Sequence, residues 1–257
     1  MFGTVTPMTI VYSTLFFLYG ALLASFFQLV ATRLPNHESM TGRSYCPTCH
    51  HPLRWIDVVP LIGYLVNRGR CHLCQAKISI AYPLIEIGGG LLFMASYWVK
   101  GFTLELVVAL VMISVLMIEA ICDQQTQTVL DRIWIIGLIP LVIIRIVQAD
   151  FWPYLLSGTL LFATMALLAI VGKWIFKKEA FGGGDIKLYL FIGFCLTIWP
   201  GILSLFVASF FGFVYGVTRK NRSNHQIALV PFLFFGVLVA YFFGDAIIDW
   251  YLSLLGM

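Results

Sequence analysis

Eight long runs of apolar residues constrain this chain more than any other feature of its sequence. A helix needs about 20 apolar residues to cross roughly 30 Å of hydrocarbon, with about 17 to 25 tolerated. Runs of this kind lie near Thr9–Ala31, Ile80–Val99, Leu104–Cys122, Ile133–Val147, Trp152–Ile175, Ile186–Trp199, Ile202–Val217 and Ala228–Phe243. The fourth and sixth are short, so flanking turns must help them to span. The sequence therefore predicts an all-α integral membrane protein with about eight transmembrane helices.

The composition supports a lipid environment and excludes several other classes of protein. Hydrophobic residues make up 60% of the 257 residues, charged residues make up only 11%, and the mean hydropathy is +0.93. A soluble domain carries about 25% charged residues, and a disordered chain is much less apolar. Six cysteines are too few for a secreted disulfide scaffold, and a net charge of +4 is too small to indicate nucleic acid as a partner. We therefore expect the lipid bilayer as a partner and no nucleic acid.

The distribution of basic residues predicts the orientation in the cell membrane. The first apolar run lacks a basic start and a small-residue cleavage site, so we expect a retained helix rather than a removed signal peptide. If the N-terminus is outside, all of the 16 Lys and Arg residues except Lys100 and Arg145 lie inside, as the positive-inside rule requires. The sequence thus predicts a multi-pass protein of the cytoplasmic (inner) membrane with both termini outside.

One polar segment is long enough to form a small cytoplasmic domain between the first two membrane helices. We expect residues 1–35 to form the first transmembrane helix, residues 36–79 the cytoplasmic domain, and residues 80–257 a membrane domain of about seven helices. The cytoplasmic segment holds two C-x2-C pairs with a spacing close to that of a zinc ribbon. The four cysteines are Cys46, Cys49, Cys71 and Cys74.

Structural zinc is the interpretation that we favour for these four cysteines. A segment of about 44 residues cannot bury enough apolar area to fold unaided, and metal binding would supply folding free energy. A redox pair and unliganded thiols are the alternatives, although a reducing cytoplasm weakens the case for a disulfide. The neighbouring His50, His51 and His72 could replace a thiolate, but four thiolates already fill a tetrahedral site.

Two aspartates at the ends of apolar runs are candidate catalytic residues. Asp123 ends the third run and Asp185 precedes the sixth, so the predicted topology places both near the cytoplasmic boundary of the bilayer. Two carboxylates brought together there cannot both ionise cheaply, so they would share a proton, as in aspartyl peptide hydrolysis. Taken singly, Asp185 could instead cap the sixth helix, and Asp123 could be a solvated loop residue.

Neighbouring residues suggest supporting roles and leave alternatives open. Gly182, Gly183 and Gly184 would allow positive φ and close approach of an extended peptide, although a tight loop also favours glycine. Lys187 could contact the substrate or orient Asp185, or it could extend to the lipid head groups. Asp131 could replace Asp123 in the pair or cap the fourth helix. Three further residues remain open: Glu119 could tune Asp123 or make an interhelical hydrogen bond, and Arg33 and Glu86 could pair near the cysteine segment.

Taken together, these motifs resemble the prepilin leader peptidase family, membrane aspartyl proteases that process type IV pilins and pseudopilins. The resemblance extends over nearly the whole chain, and its order and spacing make a chance match implausible. Five segments carry it: Ala24-Ser25-Phe26 to Arg33-Leu34-Pro35, the paired C-x2-C box, Tyr82-Pro83-Leu84-Ile85-Glu86, the segment from Asp123 to Asp131, and Gly182 to Lys187, which resembles a G-x-G-D signature.

The resemblance implies that Asp123 and Asp185 are the catalytic dyad, that the cysteine box is a cytoplasmic zinc site, and that the leader is cut after a glycine at the cytoplasmic face. It also implies N-methylation of the new terminus from S-adenosylmethionine, for which the sequence offers no glycine-rich fingerprint. The size and the residues after Gly182 resemble most the branch that processes competence pseudopilins. Ala24, Gln28 and Leu130, together with the Pro231-Phe232-Leu233-Phe234 stretch, depart from the family pattern.

Two other classes of protein compete with a peptidase. A transporter could use acidic residues in the membrane, but it would need them near the bilayer midplane beside broken helices. A non-enzymatic assembly factor for pili or secretion could use the cysteine segment to bind a partner, and both aspartates would then be dispensable. Replacement of Asp123 or Asp185 distinguishes these classes from an aspartyl peptidase.

Overall fold

The computed structural model describes residues 7–177, 182–218 and 228–254. Within these ranges the chain forms ten α-helices and no β-strand. Every apolar run predicted from the sequence forms a helix, so the all-α prediction is confirmed for this part of the chain. The chain divides into two compact units, Met1–Leu106 and Val107–Met257.

The first unit is built on two long helices that pack together, α1 (Pro7–Arg33) and α4 (Ala81–Lys100). Two short helices lie between them in the chain, α2 (Trp55–Val58) and α3 (Ile62–Val66). The rest of the connection consists of turns around the cysteines, so the polar segment adds little regular structure of its own.

Polar contacts near both ends of α1 and α4 fix how these helices pack. The indole Nε1 of Trp98 donates a hydrogen bond to Ser13 Oγ at 2.7 Å. Near the other end, Gln28 Nε2 lies 3.4 Å from the carbonyl oxygen of Tyr82. The start of one helix therefore meets the end of the other, and the two helices run antiparallel.

The second unit contains the remaining six helices of the described residues. In chain order they are α5 (Leu104–Thr126), which begins just before the boundary between the units, α6 (Asp131–Val147), α7 (Phe151–Phe176), α8 (Gly183–Cys195), α9 (Ile198–Thr218) and α10 (Val230–Leu254). Helix α8 packs against α6, α7, α9 and α10. Its side chains from Leu188 to Ile192 are largely buried, so α8 is the central element of this unit.

A buried arginine in α6 contacts both α7 and α8. Arg145, near the end of α6, donates through Nε to the carbonyl oxygen of Phe194 in α8 at 3.1 Å. Its guanidinium also lies 3.6 Å from the ring centroid of Tyr154 in α7. A buried charged side chain needs polar partners, and here a hydrogen bond and a cation–π contact stabilise the guanidinium.

Five of the described helices are long and apolar enough to cross a membrane. They are Pro7–Arg33, Leu104–Thr126, Phe151–Ile175, Ile198–Thr218 and Val230–Leu254. Large apolar side chains on them point outward, among them Trp152, Trp174 and Phe213, as expected of surfaces that face lipid. The remaining long helices, α4, α6 and α8, do not reach that standard, so eight transmembrane helices remain a prediction.

The structure corrects the predicted bounds of two apolar runs. The sixth run was expected to continue to Trp199, but α8 ends at Cys195 and α9 begins at Ile198. Pro200 explains the break, because a proline cannot donate to the preceding turn of a helix but fits the first turn of a new one. The last run was expected to end at Phe243, whereas α10 continues to Leu254.

Candidate active site

The carboxylate of Asp123 is buried near the C-terminal end of α5. The residue is 6% exposed, and its Oδ2 accepts a hydrogen bond from the backbone N–H of Val230 at 2.9 Å. Val230 is the first residue of α10, so the positive end of that helix faces the carboxylate. The N-terminus of a helix stabilises negative charge, so the start of α10 is a suitable neighbour for a carboxylate.

Asp185 approaches from the first turn of α8. It is the third residue of that helix and is 8% exposed, and its Oδ2 accepts a hydrogen bond from the backbone N–H of Gly182 at 3.2 Å. The two carboxylates, from Asp123 and Asp185, lie close enough for a direct Coulombic interaction. The structure thus brings together the two aspartates that the sequence singled out. One of the expected alternatives also holds in part, because Asp185 does satisfy a free N–H group at the start of α8.

The glycines before Asp185 do not adopt the positive φ that the sequence suggested, so that expectation is wrong. Gly182 has φ −67° and ψ 143°, and Gly183 and Gly184 already belong to α8. The requirement at Gly184 is space: a Cβ there would lie 2.5 Å from the Cβ of Val129, whereas at Gly183 it would meet nothing within 4 Å. The local packing therefore requires glycine at position 184 but not at Gly183.

Glu119 fixes the segment that carries Val129. It lies one turn before Asp123 on α5, is fully buried, and accepts a hydrogen bond through Oε2 from the backbone N–H of Leu130 at 2.9 Å. Its Oε1 has no hydrogen-bond partner within the described part of the chain. Of the two roles considered for Glu119, the structure provides a hydrogen bond to the segment between α5 and α6.

Asp131 and Lys187 form an ion pair outside the buried pair of aspartates. The Lys187 ammonium lies 2.7 Å from Asp131 Oδ2, and the two side chains are 50% and 49% exposed. Asp131 also accepts a hydrogen bond from Trp134 Nε1 at 3.1 Å. Asp131 therefore has its own partners at the start of α6, and Lys187 contacts Asp131 rather than Asp185.

The four cysteines of the polar segment converge to one point. Each can offer a sulfur, and all four sulfurs lie within 4.8 Å of one another. Cys46 Sγ and Cys74 Sγ are 3.8 Å apart, which is about the edge of a tetrahedron with a Zn–S distance of about 2.3 Å. Thiols are the donors that zinc prefers, so the four residues fit a tetrahedral zinc ion.

Two similar turns produce this convergence. In the first, the N–H of Cys46 donates to His51 O and the N–H of His50 donates to Cys46 O. In the second, the N–H of Cys71 donates to Ala76 O and the N–H of Gln75 donates to Cys71 O. Each turn is closed by one isolated antiparallel bridge, so each C-x2-C pair presents its two sulfurs from a rigid loop.

The other candidate residues have ordinary surroundings. His72 Nδ1 lies 3.4 Å from Asp57 Oδ2, as a neighbour of the cysteine cluster rather than a part of it. Cys122 and Cys195 are buried singly, as expected of small apolar side chains.

The pairing of Arg33 with Glu86 considered from the sequence is not present. Arg33 donates instead to the carbonyl oxygens of Ser39 and Arg43, and Glu86 accepts from the N–H of Leu61. Both side chains are buried, and backbone groups satisfy them there, so neither needs the other as a partner.

Several contacts at this site could not be found from sequence patterns. The N–H of Val230 lies 107 residues from Asp123, and a backbone group of this kind has no residue type that would identify it. Val129 and Leu130 look like ordinary apolar loop residues. Only Glu119, an acidic residue within an apolar run, gave a signal, because such a residue is costly unless it has a specific partner.

The fold and the site define a helical membrane protein with a buried pair of aspartates and a four-cysteine cluster. Residues 18–100 match the Bacterial Peptidase A24 N-terminal domain, and residues 110–217 match the Type IV leader peptidase family. The chain therefore belongs to the type IV leader peptidase family. No solved structure matches the chain.

Curated relatives in three bacteria share the name prepilin leader peptidase/N-methyltransferase. The chain is 32% identical over 248 residues to the Bacillus subtilis protein, an alignment that covers 94% of this chain and 98% of the relative. It is 32% identical to the Legionella pneumophila protein, covering 82% of this chain and 76% of the relative. Identity to the Neisseria gonorrhoeae protein is 30%, with coverage of 83% and 77%.

Proposed function

We propose that this protein is a membrane aspartyl endopeptidase that removes the leader peptide of type IV prepilins or pseudopilins at the cytoplasmic face of the membrane. The observation that carries the proposal is the buried pair of Asp123 and Asp185, in which the charge of Asp123 acts on Asp185 and each carboxylate accepts a hydrogen bond from a backbone N–H. Membership of the type IV leader peptidase family supports the same reaction and substrate class.

The two carboxylates divide the work of hydrolysis according to their surroundings. Asp123, facing the positive end of α10, is the ionised base, and Asp185 carries the shared proton. Asp123 takes a proton from water while the water oxygen bonds to the scissile carbonyl carbon, and Asp185 gives its proton to the carbonyl oxygen. Proton transfer to the amide nitrogen then breaks the C–N bond, leaving a carboxyl group on the leader and a free amine on the pilin.

The start of α8 is the proposed contact for the scissile segment. An extended peptide beside Gly182, Gly183 and Gly184 could approach their backbone without side-chain interference. Lys187 is half exposed despite its pairing with Asp131, and an ammonium group has three donors. It therefore retains donors for a carbonyl group of an arriving substrate.

We propose that all eight long helices lie across the membrane with both termini outside. In this arrangement residues 1–35 form the first transmembrane helix, residues 36–79 the cytoplasmic domain, and residues 80–257 the catalytic membrane domain. Helix α8, with 13 residues, is only about 20 Å long, so its flanking turns must complete the crossing. The side of the membrane to which each terminus belongs can be tested with reporter fusions.

The cysteine cluster is proposed to hold a structural zinc ion. Cys46, Cys49, Cys71 and Cys74 would be its four ligands, and the bound ion would fix the two turns of the polar segment relative to each other. Four thiolates leave no open coordination position, so the ion would not take part in peptide hydrolysis.

A second reaction, methylation of the new N-terminus with S-adenosylmethionine as methyl donor, is proposed from the relatives alone. Their printed names combine a peptidase with an N-methyltransferase. The described residues contain no strand, and so no strand-to-helix glycine turn that could hold S-adenosylmethionine. We assign no residue to the methyl donor.

A mass spectrum of the processed substrate tests both reactions at once. The purified protein in lipid would be incubated with a prepilin-like substrate and S-adenosylmethionine, and the N-terminus of the product would be measured. We expect loss of the leader and addition of one methyl group. An unprocessed substrate would favour a non-enzymatic assembly factor or a transporter, and cleavage without added mass would remove the methyltransferase activity only.

A further inference from the structure

The helices α2 and α3 form a rigid corner in the polar segment. A Cβ at Gly63 in α3 would overlap the backbone carbonyl of Asp57 in α2, so the two helices touch. Asp57 accepts hydrogen bonds from Arg54 Nε at 3.1 Å and from Asn67 Nδ2 at 2.7 Å. The Arg54 hydrogen bond holds the pKa of the Asp57 carboxyl well below its usual range. The corner is therefore locked by a charged network at neutral pH.

This corner presents large apolar side chains outward. Trp55 is 80% exposed and Leu65 is 72% exposed, and Val58, Ile62 and Val66 are also exposed. Five of the nine residues in these two short helices are therefore large apolar side chains exposed to water, which solvates them poorly. Such patches mark contact sites for a membrane or a partner.

A hydrogen bond to a buried side chain fixes the position of the corner along α4. The N–H of Leu61, between α2 and α3, donates to Oε2 of Glu86 at 2.8 Å. Glu86 is five residues beyond the start of α4, which is about 7.5 Å along the helix axis. The corner thus lies beside the first two turns of α4, where Tyr82 and Leu84 also expose apolar surface.

Basic residues adjoin the apolar patch. Arg68 and Arg70, just beyond α3, are exposed and line an open cavity of about 630 Å³ together with Asn67 and His72. Apolar side chains next to arginines are typical of surfaces that sit in the headgroup region of an anionic bilayer.

We propose that the α2–α3 corner is a second contact with the membrane. Trp55, Ile62 and Leu65 enter the boundary between head groups and acyl chains, and Arg68 and Arg70 bind the phosphates of anionic lipids. The membrane is the occupant because the corner is bonded to the first turns of α4, which packs along the membrane helix α1. The proposal does not depend on the peptidase reaction.

Fluorescence quenching in nanodiscs tests this contact with the full chain. An environment-sensitive fluorescent amino acid is placed at position 65, and at Thr41, an exposed polar position in the same segment, as the matched control. The nanodiscs contain phosphatidylcholine with acyl chains brominated near the head group. We expect quenching at position 65 about two- to threefold stronger than at position 41, because interfacial side chains lie about 5 to 10 Å deep.

A second arm tests the role of charge. Replacing about a third of the lipid by phosphatidylglycerol should increase quenching at position 65 about twofold, and the double variant Arg68→Gln/Arg70→Gln should lose that increase. Equal quenching at positions 65 and 41 would overturn the proposal. So would a probe at position 65 that responds to a prepilin-like peptide but not to brominated lipid, since the corner would then be a protein-binding surface.

Discussion

The close approach of Gly184 to Val129 gives the sharpest test of how Asp185 is positioned. In a Gly184→Ala variant the new Cβ would lie 2.5 Å from Val129 Cβ and 2.9 Å from its Cγ2. Real Cβ atoms do not approach so closely, so either the segment before α6 or the first turn of α8 must move. Asp185 is the next residue, and its carboxylate would move away from Asp123.

The expected loss follows from the cost of overpacking. Inserting a methyl group into a packed site costs about 1 to 3 kcal/mol. If that cost falls on the catalytic arrangement, leader cleavage slows by about 5- to 150-fold, at about 1.4 kcal/mol for each factor of ten. The assay is the initial rate of cleavage of a prepilin-like substrate by the purified variant in lipid.

Three matched variants make the reasoning refutable. The double variant Gly184→Ala/Val129→Gly removes the opposing Cβ and should restore most of the lost activity. The double variant Gly184→Ala/Val129→Ala keeps that Cβ and should not restore the activity. Gly183→Ala adds the same methyl group where nothing lies within 4 Å, so its thermal stability should stay near that of the wild type. Full activity of Gly184→Ala, or equal destabilisation by both alanines, would refute the packing argument. A stable but inactive Gly183→Ala would instead indicate contact with the substrate.

Three further predictions concern groups around the site. Glu119→Leu should reduce the rate of cleavage about tenfold, because it loses the hydrogen bond from the Leu130 N–H. Glu119→Gln should keep most of the rate, because its amide oxygen can still accept that hydrogen bond. Equal losses of rate in both variants would contradict a positioning role. Asp131→Asn should retain cleavage within about tenfold, because Asp131 is exposed and pairs with Lys187, whereas an inactive variant would move the dyad to Asp131. Metal analysis should find about one zinc per chain, falling below about half in Cys46→Ser, and less than half in the wild type would count against the site.

Motif spacing predicted the members of the site better than it predicted their geometry. Asp123 and Asp185 stood out because an acidic residue at the end of an apolar run is costly without a function. Their approach was inferred from the predicted topology, in which both helix ends lie on one side of the membrane. The contact of Asp123 with Val230 was not predictable, because it joins residues 107 positions apart through a backbone group that has no sequence signature.

The glycines illustrate a second limit of sequence reasoning. A glycine triplet before an acidic residue indicates special backbone or close packing, but the sequence cannot tell which. We expected positive φ, and the structure has ordinary φ with a close neighbour at Gly184. The neighbour, Val129, belongs to another segment, and only tertiary structure identifies it.

The apolar runs located the long helices well and the ends of those helices less well. The break between α8 and α9 falls inside a continuous apolar stretch, where hydropathy gives no signal and only Pro200 marks a new first turn. The sequence predicts the α2–α3 corner only as part of a polar segment, because the exposure of its apolar side chains depends on how the two short helices fold.

The most direct test of the central claim is the rate of leader cleavage by Asp123→Asn and Asp185→Asn, each purified and reconstituted in lipid. Asparagine keeps the size of the side chain but cannot exchange the proton that hydrolysis requires. The account predicts that each single substitution lowers the rate by at least about a thousandfold and that the double variant is little worse than either one. Cleavage within about tenfold of the wild-type rate in either single variant would contradict the assignment of the two aspartates as one catalytic unit.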